Sequence, residues 1–128
     1  MITFSESVPN KVYNEKVKLS GTAVIEDGLF LEDVILLDNS KILNGSFYGK
    51  TELKGNSVIE GGMFFDSITL YDNSKILGGV FKVVIADKNW KPDSKTIDFI
   101  KSFNNTKIIF NSDQNYKSKN YKNFSFKF

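Results

Sequence analysis

The 128-residue chain contains no cysteine, no histidine and no arginine. Without cysteine it can form neither a disulfide framework nor a thiolate centre, and without histidine it lacks the commonest general base and metal ligand. All seventeen basic residues are lysines, so no guanidinium group can bind phosphate, carboxylate or guanine in a bidentate manner. These absences argue against most catalytic and metal-binding arrangements, and we expect a protein without cofactors.

Long apolar runs are also missing. None approaches the ~20 residues of a transmembrane helix, so we expect no membrane partner. Residues 1–16 contain no basic region followed by an apolar core, so no signal peptide and a cytoplasmic location are expected. At this length, with 41% hydrophobic residues, the chain should form one domain with a modest core.

The small net charge of +2 conceals two oppositely charged parts. Residues 1–80 hold seven lysines and eleven acidic residues, a balance of −4, whereas residues 81–128 hold ten lysines and four acidic residues, a balance of +6. The composition changes where the internal repeats stop, and we place a boundary near residue 85.

The chain repeats itself. The phrase "LDNSKILNGSF" at residues 37–47 returns as "YDNSKILGGVF" at residues 71–81, and beneath it lies a period of seventeen that begins at Val17. Cutting the chain in seventeens gives four segments with four invariant columns: Leu19, Leu36, Leu53 and Leu70; Ile25, Ile42, Ile59 and Ile76; Gly28, Gly45, Gly62 and Gly79; and Phe30, Phe47, Phe64 and Phe81.

The spacing of the large columns predicts the fold. Steps of five and six residues do not suit a helix, but they suit a short strand followed by a corner, and three such steps close one coil of a solenoid. We therefore predict a mainly β fold: a short β-solenoid of about four 17-residue coils over residues 17–84. An N-terminal cap or lead-in occupies residues 1–16, and a C-terminal helix-plus-strand cap occupies residues 85–128.

The corners carry Asp-Asn or Gly-Asn pairs, which tolerate the left-handed backbone of sharp turns. Asp38 and Asp72 share a column two coils apart, so they should lie roughly 10 Å from each other. This distance is near the upper end of the separation between the two catalytic carboxyl groups of inverting glycosidases. Their corner positions already explain both residues. The return of the phrase every second coil has two explanations, and both stay open. One is a recent duplication. The other is an alternation that sets Lys41 diagonal to Glu26 and Glu60 and avoids stacked like charges.

The segments "LKGNSVIEGG" and "LSGTAVIEDG" resemble hexapeptide-type repeats, most closely the degenerate GNA-x-V-x-G variety of bacterial and phage-associated proteins. The resemblance covers residues 17–84 and implies a left-handed β-helix, although the coil has seventeen residues rather than eighteen. Acyltransferases with such repeats rely on a catalytic histidine, which this chain lacks. The resemblance therefore implies a fold rather than that activity.

One outward face is unusually apolar. The positions that flank the buried phenylalanines hold Leu29, Leu31, Tyr48, Met63 and Phe65, and an apolar surface of this kind is typical of an interface. We predict that it is covered in one of three ways: by a helix over residues 94–103 of the same chain, by a second copy, or by a foreign partner.

The C-terminal segment is read as a helix capped by Asp93 or Ser94, a strand over residues 106–110 and a basic aromatic tail. Lys117, Lys119, Tyr121 and Lys122 in this tail are candidates for electrostatic contact, including weak binding of nucleic acid. The alternation of Phe124, Phe126 and Phe128 favours instead a final structural strand.

Three functions are compatible with these features. The first is a non-enzymatic β-solenoid that binds another macromolecule through a lateral face, as an inhibitor or accessory factor encoded by a phage or mobile element. The second is a β-helical module of a fibre or adhesin that acts as a homo-oligomer. The third and weakest is a carbohydrate-active enzyme.

Overall fold

The computed structural model describes residues 1–102 and the backbone of residues 107–111. Its main body is a parallel β-solenoid of five coils, which places one strand or bridge of each coil in each of three parallel sheets. The coils span residues 2–16, 17–33, 34–50, 51–67 and 68–82, and are called coils 1 to 5. The predicted solenoid is confirmed, with one coil more than the sequence columns indicated.

The strands are short because each coil turns a corner every five or six residues. In chain order they are β1 (Ile2–Phe4), β2 (Ser7–Val8), β3 (Val12–Tyr13), β4 (Val17–Leu19), β5 (Val24–Ile25), β6 (Leu29–Phe30), β7 (Val34–Leu36), β8 (Lys41–Ile42), β9 (Ser46–Phe47), β10 (Thr51–Leu53), β11 (Val58–Ile59), β12 (Met63–Phe64), β13 (Ile68–Leu70), β14 (Lys75–Ile76), β15 (Val83–Asp87) and β16 (Lys107–Asn111). The helix α1 spans Ser94–Lys101.

Each sheet collects the equivalent strands of successive coils. The first has the order β1-β4-β7-β10-β13-β15-β16, the second β14-β11-β8-β5-β2, and the third β12-β9-β6-β3. Partners from coil 2 onward lie seventeen residues apart, as in Thr51↔Ile68 and Val58↔Lys75. The sequence period is therefore the register of the sheets.

The invariant columns form the core. Leu53 and Ile59, predicted to lie in an interior coil, are fully buried at 0% exposure. The aromatic column is a continuous stack: Tyr13, Phe30, Phe47 and Phe64 follow one another with ring centroids 4.7–4.9 Å apart and planes within 7° of parallel. A Cβ at Gly28 would lie 3.0 Å from the Phe30 ring, so the invariant glycine leaves room for the phenylalanine.

Residues 1–16, assigned from the sequence to a cap or lead-in, form a complete coil. Val8 and Tyr13 pair in the seventeen-residue register with Ile25 and Phe30. Ile2, however, pairs with Val17, an offset of fifteen, because the first corner of coil 1 is two residues shorter than its equivalents. This shorter corner moves Phe4, the partner of Leu19, two positions out of the Leu column and puts Ile2 in its place, which hides the coil in the sequence.

The C-terminal end of the solenoid is closed by several elements. The strand β15 continues the first sheet to Asp87, beyond the boundary predicted near residue 85, with an offset of sixteen between Ile68 and Val84. The strand β16, predicted over residues 106–110, pairs in parallel with β15. Trp90 is buried at this end and donates its indole N–H to the Ser74 carbonyl at 2.9 Å.

The helix α1 lies across the open edge of β14. Asp93 is the N-cap, one of the two residues predicted, and accepts hydrogen bonds from the backbone N–H and hydroxyl of Thr96 at 2.9 and 2.8 Å. The Thr96 hydroxyl in turn accepts the Ile76 N–H at 3.1 Å, so the helix satisfies an edge donor of the last coil. This arrangement is the cap that a solenoid end requires.

One corner explains in part why the repeated phrase returns every second coil. Gly21, Asp38, Gly55 and Asp72 occupy one column, and all four have positive φ angles between 54° and 66°. Asp38 accepts the Gly21 N–H at 2.8 Å, and Asp72 accepts the Gly55 N–H at 2.9 Å, each seventeen residues away. A Cβ at Gly55 would lie 2.9 Å from the Asp38 nitrogen. Glycine and aspartate therefore alternate here: each carboxylate accepts the glycine N–H of the preceding coil, and the glycine that follows Asp38 in the column lies too close to the Asp38 backbone to carry a Cβ.

A buried hydroxyl in the core provides a first prediction. Thr51 is 1% exposed and its Oγ1 has no hydrogen-bond partner among the described residues, while the same column elsewhere holds Val17, Val34 and Ile68. Replacing Thr51 by Val removes an unsatisfied buried hydroxyl and should raise the free energy of unfolding by about 1 kcal/mol in chemical denaturation. Val34→Thr, the matched control, should lower it by a similar amount. A destabilised Thr51→Val variant would contradict the assignment of the Thr51 hydroxyl as a buried group without a hydrogen-bond partner.

Candidate binding face

An apolar stripe runs along the outer surface of the third sheet. Strand alternation turns the stacked aromatic column inward, so the residues immediately before and after it point outward. The apolar stripe is defined as the large apolar residues at these positions: Val12, Leu29, Leu31, Tyr48, Met63, Phe65 and Val80. It extends over five coils, or about 19 Å at the spacing of neighbouring strands.

The centre of the stripe is aromatic. Tyr48 and Phe65 stack with their ring centroids 4.6 Å apart and their planes 11° from parallel. Both remain accessible, with 50% and 55% of their surfaces exposed, and Val80 reaches 56%. Because each ring directly follows a strand held in register with its neighbours, the stacked pair is preformed.

The helix α1 does not cover this stripe. Its contacts are made at the end of the solenoid, where Ile100 is buried and Phe99 packs edge-on against Phe81 with centroids 5.9 Å apart. Of the three covers considered from the sequence, the helix over residues 94–103 is therefore wrong. The reason is physical: the apolar residues of α1 pack on the last coil, whose core would otherwise face water.

An apolar cleft of about 250 Å³ opens at the C-terminal end of the stripe, lined by Met63, Phe64, Phe65, Val80, Phe81 and Lys82. The pairing between coils 4 and 5 in this sheet is limited to the bridge between Met63 and Val80. The corner that leads from coil 5 into β15 is one residue shorter than its equivalents, so Ile68 pairs with Val84 at an offset of sixteen residues. The cleft lies where this short corner follows the bridge, and it has room for one large apolar side chain.

The corners that border the middle of the stripe are acidic. In coils 2 to 4, the three residues before the stripe and the two after it include six acidic residues and one lysine, Lys50. The acidic residues are Glu26, Asp27, Glu32, Asp33, Glu60 and Asp66. Glu60 forms an ion pair with Lys41 at 3.7 Å; the other five have no ion pair among the described residues. Negative charge thus lines both sides of the apolar surface.

The other outward faces are different. On the first sheet Ile35, Leu37 and Tyr71 are half-buried, and the Lys54 ammonium lies 5.1 Å from the centre of the Tyr71 ring. Burial, together with the charges of Glu52 and Asp87, raises the pKa of the Tyr71 phenol. On the second sheet, the diagonal pair of Lys41 and Glu60 predicted from the repeat is present. The third sheet combines a stacked pair of exposed rings with the cleft.

The residues predicted from the sequence separate into two groups. Leu31, Tyr48, Met63 and Phe65 are exposed on the stripe, whereas Leu29 on the same face is half-buried. Val12 and Val80 extend the surface at both ends. Val12 escaped prediction because it belongs to the coil that the repeat analysis missed. Lys117, Lys119, Tyr121 and Lys122 lie outside the described residues.

The titratable groups of the described residues show no cluster of three or more metal-ligating side chains. The two aspartates weighed as a carboxylate pair, Asp38 and Asp72, serve the backbone of the corner, as described above. Among the residues described, no helix has the length and apolar character needed to cross a membrane. Within the part of the chain that the structure describes, nothing covers the apolar stripe or gives it a structural role.

The chain was compared with protein families, curated proteins and solved structures. No family model, no curated protein and no solved structure matches it.

Proposed function

We propose that the chain is a non-enzymatic binding protein that recognises another macromolecule through the apolar stripe. The observation that carries the proposal is the exposed, stacked pair of Tyr48 and Phe65 beside a preformed apolar cleft. Aromatic residues concentrate at the energetically important centres of protein interfaces, and large exposed apolar patches mark such sites. Placing these side chains in water is unfavourable unless a partner covers them.

The finer assignment is to an inhibitor or accessory factor encoded by a phage or mobile element. It is supported by the resemblance of the coils to the GNA-x-V-x-G repeats of bacterial and phage-associated proteins. The small capped solenoid is compatible with this role, because a rigid lateral face presents its side chains at little cost in conformational entropy on binding.

The alternative is a structural module that self-associates. At the C-terminal end, α1 occupies the edge of β14 and makes its Ile76 N–H unavailable for a further coil. This argues against growth of a fibre by stacking at that end. Lateral self-association through the stripe is a separate outcome, which the following experiment detects.

The test replaces both central rings with lysine. The chain would first be used to capture its partner from the native host or its prey, and the identified partner would then be titrated in purified form. We expect Tyr48→Lys/Phe65→Lys to lose this binding while it stays folded at unchanged mass in solution, with a loss of stability of only about 1–2 kcal/mol from the broken ring stack and the paired lysines. A matched control, Leu43→Lys/Leu77→Lys, alters two similarly exposed residues of the second sheet and should bind normally.

Two results would contradict the proposal. If the unaltered chain is an oligomer whose mass falls in the Tyr48→Lys/Phe65→Lys variant, the stripe is a self-association surface. If the variant retains stability, mass and partner binding, the stripe has no role as an interface.

A further inference from the structure

We infer that the partner presents a cationic amphipathic helix, whose apolar side lies on the stripe and whose lysines or arginines face the acidic corners. This inference rests on the proposed function and specifies the chemistry of the partner. It depends on three features of the molecule: the hydrogen bonds already made by the strand backbones, the dimensions of the stripe, and the distribution of charge around it.

The backbone of the third sheet favours a helix over an extended strand. The main-chain groups of this sheet are bonded to neighbouring coils; for example, the Phe65 N–H donates to the Phe47 carbonyl and the Tyr48 N–H to the Phe30 carbonyl, both at 2.9 Å. An added strand would find few free donors and acceptors on this lateral face. A helix satisfies its own backbone and is recognised through side chains alone.

The dimensions agree with one helix. The stripe is two outward positions wide, about 7 Å, and about 19 Å long. A helix of about 13 residues has this length, and its apolar side fits such a width. The cleft between Met63 and Val80 lies toward one end, where it can accept the largest apolar side chain of the helix.

The charges select a cationic partner. Glu32 and Asp66 directly follow the stripe in coils 2 and 4, and Glu26 and Asp27 precede it in coil 2. All four are exposed and have no ion pair among the described residues. Lysine or arginine side chains at the edges of the apolar side would face these carboxylates. Complementary charge of this kind fixes orientation and accelerates association.

The same charges disfavour a second copy of the chain. The acidic corners are concentrated in coils 2 and 4, which are symmetrically placed about coil 3. A two-fold axis parallel to the stripe would set coil 2 against coil 2, and one perpendicular to it through coil 3 would set coil 2 against coil 4. Either arrangement brings carboxylates opposite carboxylates, and like charges across an interface are unfavourable.

The test uses two synthetic peptides of 14 residues and the full-length chain. Both peptides carry leucine and phenylalanine along one side of a helix; one has lysines at the borders of that side and the other has glutamates. Fluorescence anisotropy should show at least tenfold tighter binding of the lysine peptide in low salt. This advantage should shrink as salt is added, because exposed charge pairs are screened.

Charge reversal locates the contact. Glu32→Lys/Asp66→Lys should weaken binding of the lysine peptide at least tenfold and strengthen binding of the glutamate peptide. Asp98→Lys, a control at an exposed carboxylate of α1, should change neither. Equal affinities for the two peptides, or an unchanged affinity in the Glu32→Lys/Asp66→Lys variant, would overturn the inference. The proposed function would still stand if the captured partner remained sensitive to Tyr48→Lys/Phe65→Lys.

The same assay distinguishes two other groups that could occupy the stripe. If replacing Lys117, Lys119 and Lys122 with glutamine strengthens binding of the lysine peptide at least tenfold even at moderate salt, the carboxylates serve the chain's own C-terminal lysines, and the inference is wrong. If sedimentation shows that the lysine peptide dissociates a dimer of the chain, the stripe belongs to a second copy, and the inference is likewise wrong.

Discussion

Truncating Phe47 to alanine should lower the free energy of unfolding by about 3–5 kcal/mol. Phe47 is fully buried at the middle of the aromatic stack, 4.9 Å from the Phe30 ring and 4.7 Å from the Phe64 ring. Its loss removes apolar contacts and also interrupts a column that neighbouring coils share. The surrounding backbone can collapse only partly into the space, because hydrogen bonds to the coils above and below hold it in register.

The matched control is Phe65→Ala. Phe65 lies on the neighbouring coil, one position further along its strand than the buried column, and is 55% exposed on the apolar stripe. Its truncation removes one partner of an exposed ring stack, so we expect a loss of about 1 kcal/mol or less. Chemical denaturation of both variants would compare the two directly. Equal losses would contradict the assignment of Phe47 to the inward column and Phe65 to the outward column of the third sheet.

The coil register is readable from the sequence because parallel coils stack without a shift. Equivalent residues then meet the same core environment every seventeen residues, and Leu53, Ile59 and Phe47 recur in fixed columns. The prediction fails where a corner changes length. The corner after Phe4 is two residues short and the one after Phe81 is one residue short, so β1 and β15 leave the columns although both strands continue the first sheet.

The candidate site can be predicted from the sequence only in part. Strand alternation is local, so the sequence places Tyr48, Met63 and Phe65 on the outside without knowledge of the whole molecule. The position of α1, in contrast, cannot be predicted from the neighbouring sequence. It depends on the edge N–H of Ile76 and the open core beside Phe81, which exist only once the last coil has formed. The cleft likewise lies at a difference in corner length between coils 4 and 5, which single columns of the sequence do not reveal.

The corner before the stripe becomes tighter toward the C-terminal end of the solenoid. The column that precedes the invariant glycine holds Asp27, Asn44, Gly61 and Gly78. A Cβ at Gly61 would lie 2.3 Å from the Leu43 carbonyl oxygen, and one at Gly78 would lie 2.1 Å from the Glu60 carbonyl oxygen and 2.8 Å from its carbon. In coils 4 and 5 the chain therefore passes directly over the backbone of the preceding coil.

Replacing Gly78 by alanine should consequently lower the free energy of unfolding by about 3 kcal/mol or more. The obstacle is a backbone carbonyl, which cannot rotate away as a flexible side chain would, so coil 5 must lift from coil 4. The shift would reach Val80 and the cleft, and partner binding should weaken as well. Asn44→Ala, at the equivalent corner of coil 3, already has a Cβ and should change stability by no more than about 0.5 kcal/mol. Thermal and chemical unfolding of the two variants would test the difference, and a Gly78→Ala variant as stable as Asn44→Ala would show that the two coils are not in the close contact described.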